Sequence, residues 1–529
     1  MTTGTWDVVV AGAGHNSLVT AAYLARAGLR CLVLEARDTI GGDTATEELT
    51  LPGFRHDSCS TAHNLLQSNP IVRDDELGLL ANGGLEYLRP DPVVHLPFPD
   101  GSAMTMWRHR AATCASIARL SADDAAAYER LLDRYDEVKG AFAGYRATPI
   151  GDGPTLDERL AALPASAGVR WRRLAPRSAW DVIRAEFGDE RCRAALLWLA
   201  FLTMQPPQRP GTAALAHSLP YGRQRDSWVL PRGGSGALPD ALARVITDRG
   251  GRILTGHEVR ELIVEDGRCT GVVTADGTRF TATRAVLSTV HVKHLVEMAP
   301  AAAWGAGFVE GVASWRPGVS MFVTHYATTA PPRFPTGDDV LTPVATGLTT
   351  SVERMLRVGP DFEAGRVALD DPVLLVLCPT VADPSRAPAG HHTVKVIGFQ
   401  PYELPEGPAH WDVIADDVSR ANLAHLRRYA PNLTDDVILA AKVSSPLDLE
   451  RRNAHNWHGS CHGGDMDPSQ SGALRPVPGW ARHRMPIPGL YQTGATTHPG
   501  GSVSGAPGRN AAQVLLDDLG IGFAAAVRG

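Results

Sequence analysis

The chain has 529 residues (56.4 kDa), with 51 basic against 57 acidic side chains, a formal net charge of −6, and 44% hydrophobic and 20% charged residues. This length asks for more than one folding unit of roughly 100–200 residues and excludes a small disulfide-stapled scaffold. The balanced charge excludes a dedicated nucleic-acid binder, which needs a strongly basic face or tail, so the expected partner is a small molecule.

Residues 7–11 are a short β-branched run, followed by Gly12-Ala13-Gly14-His15-Asn16-Ser17 and a helical apolar pattern through Leu18, Ala21, Ala22, Leu24 and Ala25. A second apolar run, 31–34, ends at Glu35, 23 positions after Gly12. Strand, glycine turn, helix, strand and terminal acid make a βαβ unit of the dinucleotide-binding kind. Gly12 permits the tight turn and Gly14 lets backbone amides approach a pyrophosphate. The helix N-terminus adds partial positive charge, and Glu35 accepts hydrogen bonds from ribose hydroxyls. Ser17 stands where the fingerprint usually has its third glycine, a small residue that still allows close helix–strand packing. NAD and FAD both fit this unit.

Further along, residues 121–139 read as a helix that opens with Ser121 and Asp124 in capping-box spacing. The apolar run 194–204 is far short of the roughly 20 residues that span a bilayer. It reads as a buried core helix, or as a tunnel wall or monotopic membrane contact for a lipophilic substrate. The glycines from Gly233 to Gly236 lead into a helix through Leu238, Leu242 and Val245, either as a hinge or as a helix start. Residues 252–290 alternate apolar and polar, with Asp266-Gly267 and Asp276-Gly277 at the turns of a β-meander. Gly305-Ala306-Gly307 follows an Ala-rich helical segment rather than a strand, so no second dinucleotide unit is expected, and 373–378 read as a strand. Near the C-terminus a strand ends at Gly494, a glycine-rich loop follows, Ser504 is placed as a helix N-cap, and 511–519 form an apolar helix.

Separated blocks carry a resemblance that brackets nearly the whole chain: Gly12 to Asn16, Gly41-Gly42, Pro52-Gly53-Phe54 leading to Cys59 through His63, Trp228 to Gly236, His462 to Met466, and above all Leu490 to Asn510. They resemble the phytoene desaturase-like flavoproteins, which include bacterial carotenoid desaturases and ketolases and the pyridine nucleotide-disulfide oxidoreductase domain-containing protein 2 group. The resemblance implies an α/β fold with a glutathione-reductase-type Rossmann FAD domain and an inserted α+β substrate domain. It divides the chain into FAD-binding segments 1–90, 225–298 and 478–529, and substrate-binding segments 91–224 and 299–477. The implied cofactor is non-covalent FAD. Its implied contacts are Gly12, Ala13, Gly14, His15, Asn16, Glu35, Ala36, Arg37, Gly41, Gly42, Asp43, Thr44, Val259 (through its backbone, to the adenine), Gly494, Ala495, Val503, Ser504 and Ala506. Amine oxidases of this fold carry an acid where this chain has Ala495, so the ribityl contact comes from elsewhere. In the family the last block closes over the isoalloxazine, and a helix N-terminus at the N1/O2 edge stabilises the anionic reduced ring.

A flavin performs the redox step itself, so the protein needs at most a general base and a dry pocket. By block position the candidate bases are His63, His217 and His462, each of which also reads as a structural hydrogen-bonding residue. Amine oxidases use a lysine near the flavin N5; the only lysines are Lys139, Lys293, Lys395 and Lys442, of which Lys293 or Lys395 is the candidate. The expected activity is dehydrogenation of a lipophilic small molecule with hydride transfer to flavin N5, the electrons passing on to oxygen, a quinone or another acceptor. An amine or amino-acid oxidase, a flavin-dependent isomerase and a non-catalytic lipid escort of the same fold are the alternatives. The seven scattered cysteines lack CxxC spacing, so neither a metal site nor a disulfide framework is expected. With no signal peptide read at the N-terminus the expected compartment is cytoplasmic, and a peripheral membrane contact and a homo-oligomer stay open.

Overall fold

The computed structural model describes residues 5–337 and 339–528. The first strand, β1 (Trp6–Ala11), runs through the middle of a seven-stranded sheet, parallel to β2 (Cys31–Leu34) on one side and to the end of the strand Arg279–Ser288 on the other. Val8, Val9 and Val10 are all fully buried, as a strand covered on both faces requires. Between β1 and β2 lies the helix α1 (His15–Arg26), buried along nearly its whole length.

The meander folds as expected, as antiparallel strands Val259–Glu265, Arg268–Thr274 and Arg279–Ser288. Asp266 and Gly267 both take positive φ (49° and 74°), the geometry of a tight hairpin turn whose twist matches its strands. The far end of Arg279–Ser288 joins the parallel core of the sheet, between β1 and the late strand Leu490–Gln492, and Arg252–Leu254 adds an edge beside β2. One sheet thus collects strands from three stretches separated by hundreds of residues.

A second seven-stranded sheet, almost wholly antiparallel, runs Ile438–Ser444, Ser320–Thr328, His392–Gln400, Leu374–Leu377, Ala345–Leu348, Val94–Pro97, Ala103–Met106. The apolar run 194–204 lies mostly in the helix Glu190–Phe201, buried from Ala194 to Phe201, with the Trp198 indole seated on Gly347 and donating to the Leu374 carbonyl at 3.1 Å. It is a core helix; only the residues just past its end, Leu202 and Met204, reach the central cavity.

Three local expectations shift. The helix expected over 121–139 ends at Asp136, and its capping box is half made. Ser121 Oγ accepts from the Asp124 amide (3.2 Å), but the Asp124 carboxylate turns away to accept from the amides of Gly188 and Asp189 at 2.7 and 2.8 Å. The Gly233–Gly236 stretch is a helix start and no hinge: its amides donate to Asp383 (2.6 Å), Asp57 (2.8 Å) and Thr46 (2.9 Å), and the helix Ala237–Thr247 follows. The last long helix is Ala506–Asp518, so it begins five residues before the expected start, with Gly505 (φ 66°) rather than Ser504 at its cap. Pro507 is tolerated in a first turn, and Gly508 is needed there because a Cβ would fall 2.3 Å from the Asn16 carbonyl oxygen of α1.

Candidate active site

A cavity of about 740 Å³ opens where the C-terminal end of β1 faces the second sheet. Its first end is built from the glycine turn. Gly12 holds φ 93°, and a Cβ there would lie 2.5 Å from Thr289 Cγ2. Ser17 Oγ donates to the carbonyls of Gly12 (2.6 Å) and Gly14 (2.9 Å), so the residue in place of the third glycine pins the loop. Gly41 donates its amide to the Ala13 carbonyl at 2.7 Å, which lays the diglycine against the turn. Glu35 is held rigid: one carboxylate oxygen accepts from the Ala13 amide (2.8 Å), the other from the Arg37 amide (3.1 Å).

The N-terminus of α1 points into this end with no side-chain cap and no acid in its first turn. His15 Nδ1 pairs with Thr44 Oγ1 at 3.0 Å, while its Nε2 and the Asn16 side-chain oxygen are buried without partners. Burial pulls His15 down to about 4, so it is neutral at physiological pH. Asp43 accepts from Asn453 (2.8 Å) and Asn456 (3.1 Å), tying the diglycine loop to the segment that ends in His462.

The middle of the cavity is made of close backbone approaches. A Cβ on Gly501 would meet the Cα of His462 at 2.5 Å, and one on Gly494 would meet Thr289 Oγ1 at 2.6 Å. Arg475, fully buried, clamps this region through backbone carbonyls alone: Ala495 (2.9 and 2.6 Å), His462 (3.1 Å), Asp465 (3.0 Å) and Gln470 (3.1 Å). Its role leaves no mark in the sequence, because carbonyl acceptors belong to every residue. The far end is apolar, walled by Leu202, Met204, Met321, Leu375, Leu377, Ile397 and Phe399.

The cavity brings together Gly12, Gly14, His15, Asn16, Glu35, Ala36, Arg37, Gly41, Gly42, Asp43, Thr44, Val259, Gly494, Ala495, Val503 and His462. Ala13, Ser504 and Ala506 stand behind its wall. Ala13 spends its amide on Glu35, and Ser504 gives its carbonyl to Asn69 and its hydroxyl oxygen to the Ala506 amide.

Two of the candidate bases lie away from the cavity. His63 is fully buried between Tyr87 and Ser235 (Nε2 to Ser235 Oγ 2.7 Å), and His217 packs edge-on against Trp171 at 4.8 Å; neither lines the cavity. The lysines are elsewhere too: Lys395 donates to the carbonyls of Asp57 and Cys59 from behind the wall, and Lys293 to that of Ala313. His462 does line the cavity, and burial with the Arg475 charge nearby holds it down to about 4. Also in the lining are His455, whose Nδ1 pairs with the Thr289 carbonyl at 3.0 Å, and Arg223 and Trp228, none of them expected from sequence as site residues.

A family model described as flavin containing amine oxidoreductase matches residues 172–516, and one described as an NAD(P)-binding Rossmann-like domain matches residues 10–75. The chain belongs to the flavin-containing amine oxidoreductase family. It is 30% identical to pyridine nucleotide-disulfide oxidoreductase domain-containing protein 2 of Mus musculus, over 97% of this chain and 94% of that one. It is 29% identical to a component of the limonene dehydrogenase of Castellaniella defragrans (97% and 95% covered) and 27% identical to the neurosporene-forming phytoene desaturase of Cereibacter sphaeroides (94% and 92%). In fold it is similar to putrescine oxidase bound to putrescine, with a TM-score of 0.61 at 16% identity, covering 98% of this chain and 99% of that one. The protein is therefore an FAD-dependent oxidoreductase with a Rossmann-type FAD-binding domain, as the phytoene desaturase-like resemblance implies.

The first end of the cavity fits that cofactor. An uncapped helix N-terminus and orphaned polar atoms on His15 and Asn16 suit a pyrophosphate, and a fixed carboxylate suits a ribose. Among the described residues no helix is long and apolar enough to cross a membrane, and no side-chain cluster is arranged to hold a metal ion.

Proposed function

We propose that this enzyme dehydrogenates an apolar small molecule at the second end of the cavity. The observation that carries the reading is the wall of Leu202, Met204, Met321, Leu375, Leu377, Ile397 and Phe399, which gives the apolar body of a substrate a surface to lie against. Two of the relatives are named for apolar substrates, limonene and phytoene. No lysine stands among the described lining residues, which weighs against amine oxidation.

The division of labour follows from the two ends. Gly12, Gly14, Gly41, Gly42 and Thr44 would hold the pyrophosphate of non-covalent FAD, Glu35 its adenosine ribose, and the Val259 backbone its adenine, while Gly494, Ala495 and Val503 would line the space left for its ring. When bound, the flavin would supply a hydride acceptor at N5. His462, neutral and in the wall, takes the proton that leaves the neighbouring carbon when a double bond forms. The FAD-binding domain comprises 1–90, 225–298 and 478–529, and the substrate domain 91–224 and 299–477. Electrons leave to oxygen, a quinone or another acceptor.

Purified protein should be yellow. Its flavin absorption should bleach on anaerobic addition of a lipophilic substrate drawn from terpenes, carotenoid precursors and their carboxylic acids, and not on addition of alkylamines. Protein that stays colourless after reconstitution with FAD, or that is bleached by amines alone, overturns the reading.

A further inference from the structure

The apolar end of the cavity contains a cation without a countercharge. Arg223, 8% exposed, projects from the helix Ala213–Asp226, and its guanidinium lies 3.8 Å from the ring centroid of Trp228; both residues line the cavity. One terminal nitrogen donates to the Asn64 side-chain oxygen, and Nε is buried with no acceptor. The adjacent acid, Asp226, is engaged by Arg225 through both carboxylate oxygens. Burial pushes the Arg223 pKa down, to about 9.

A charge taken out of water needs a countercharge or a complete shell of hydrogen bonds. The other buried arginines of the described chain have one or the other. Arg354 is paired with Asp361 at 2.6 Å and Arg386 with Asp57 at 3.0 Å, and Arg475 is saturated by backbone carbonyls. Among the described residues Arg223 alone has only a neutral amide and an aromatic face. Trp228 packs in the same apolar cluster as Met204, Met321, Leu375, Leu377 and Ile397, so this cation belongs to the substrate wall and not to the Gly12 and Glu35 end.

We propose that the substrate is an apolar molecule bearing a carboxylate, and that Arg223, braced on Trp228, is the residue that selects for it. The proposal rests on the reading of this cavity as the substrate site. The second terminal nitrogen of the guanidinium makes no hydrogen bond among the described residues, and a carboxylate on it would supply the missing countercharge. Anchoring one end also turns a flexible apolar body with many poses into one with a defined carbon facing the reaction centre.

The test uses the FAD-loaded protein and isothermal titration calorimetry at neutral pH, with octanoate and its uncharged counterpart 1-octanol as probes. The wild type should bind octanoate at least about tenfold more tightly than 1-octanol. Arg223→Met should abolish that preference, Arg223→Lys should retain part of it, and both variants should keep the wild-type flavin content. Equal affinities in the wild type, or no octanoate binding, overturn the proposal without any variant being needed. Loss of FAD rather than of octanoate preference in Arg223→Met also overturns it, by assigning the guanidinium to the cofactor. Flavin content measured on the same samples keeps the two readings apart: protein without FAD defeats the flavoenzyme assignment, whereas a flavin-loaded protein indifferent to charge defeats only this one.

Discussion

On the proposed reading, the site's chemistry depends most directly on Gly12 and His462, both of which line the cavity. At Gly12 the backbone sits at φ 93°, and the nearest atom to an added Cβ would be only 2.5 Å away on Thr289. Gly12→Ala therefore combines backbone strain with a clash, at a cost of about 1–3 kcal/mol from the conformation alone. The expected result is a folded protein with a lower melting temperature that loses its flavin on gel filtration; full retention of the yellow colour would contradict the assigned role of the turn. At His462 the ring is neutral above about pH 4 because burial and the nearby Arg475 disfavour its cation. If it is the base, kcat/KM stays flat from pH 8 to 5, and His462→Gln lowers kcat by about 10²–10⁴ while flavin content is unchanged. A smaller loss, or an effect confined to KM, would make it a positioning residue.

At the scale of elements, the site depends on how two helices meet. α1 and Ala506–Asp518 touch backbone to backbone at Gly508, and Thr20 Oγ1 donates across the contact to the Gly508 carbonyl at 2.8 Å. The same helix pair carries the N-terminus that faces the cavity. Gly508→Val should force the helices apart, at a cost of about 1–3 kcal/mol for overpacking, and should weaken FAD retention although residue 508 lies outside the cavity. Calorimetric melting together with the flavin-to-protein absorbance ratio checks both halves of that expectation. This contact also explains why the helix start is misread from sequence: Pro507 and Gly508 look like loop residues until the packing partner that demands them is in view.

For the molecule as a whole, the distribution of histidines predicts its acid stability. Eight of them (His15, His56, His63, His95, His217, His462, His483 and His498) are held down to about 3 or 4, in each case chiefly by burial. In the unfolded chain a histidine titrates near about 6.5, so below that pH the unfolded state takes up protons that the folded state refuses. Stability is therefore fully present above about pH 6.5 and is lost as the pH falls toward 4. The melting temperature should be level between pH 8 and 7 and fall steeply from 6.5 to 4.5, with net proton uptake on unfolding. A level curve across that lower window would contradict the burial of these rings.

The βαβ unit is legible in the sequence because everything that defines it is local. Gly12, Gly14 and Glu35 lie within 24 consecutive positions, and a strand–turn–helix–strand of that length has one way to close on itself. The meander turns at Asp266-Gly267 are local for the same reason. The substrate end is different in kind. Leu202, Met321, Leu375, Ile397 and Phe399 come from the end of a core helix and from three strands, and in sequence they are indistinguishable from the apolar residues that fill the core. His63, His217 and His462 are equally alike as letters. Long-range packing alone separates the one that reaches the cavity from the two enclosed by Tyr87 and Trp171. The lone charge of Arg223 is a tertiary fact as well: whether a cation has a countercharge depends on which acids the fold brings near it, and here the neighbouring acid, Asp226, is already taken by Arg225.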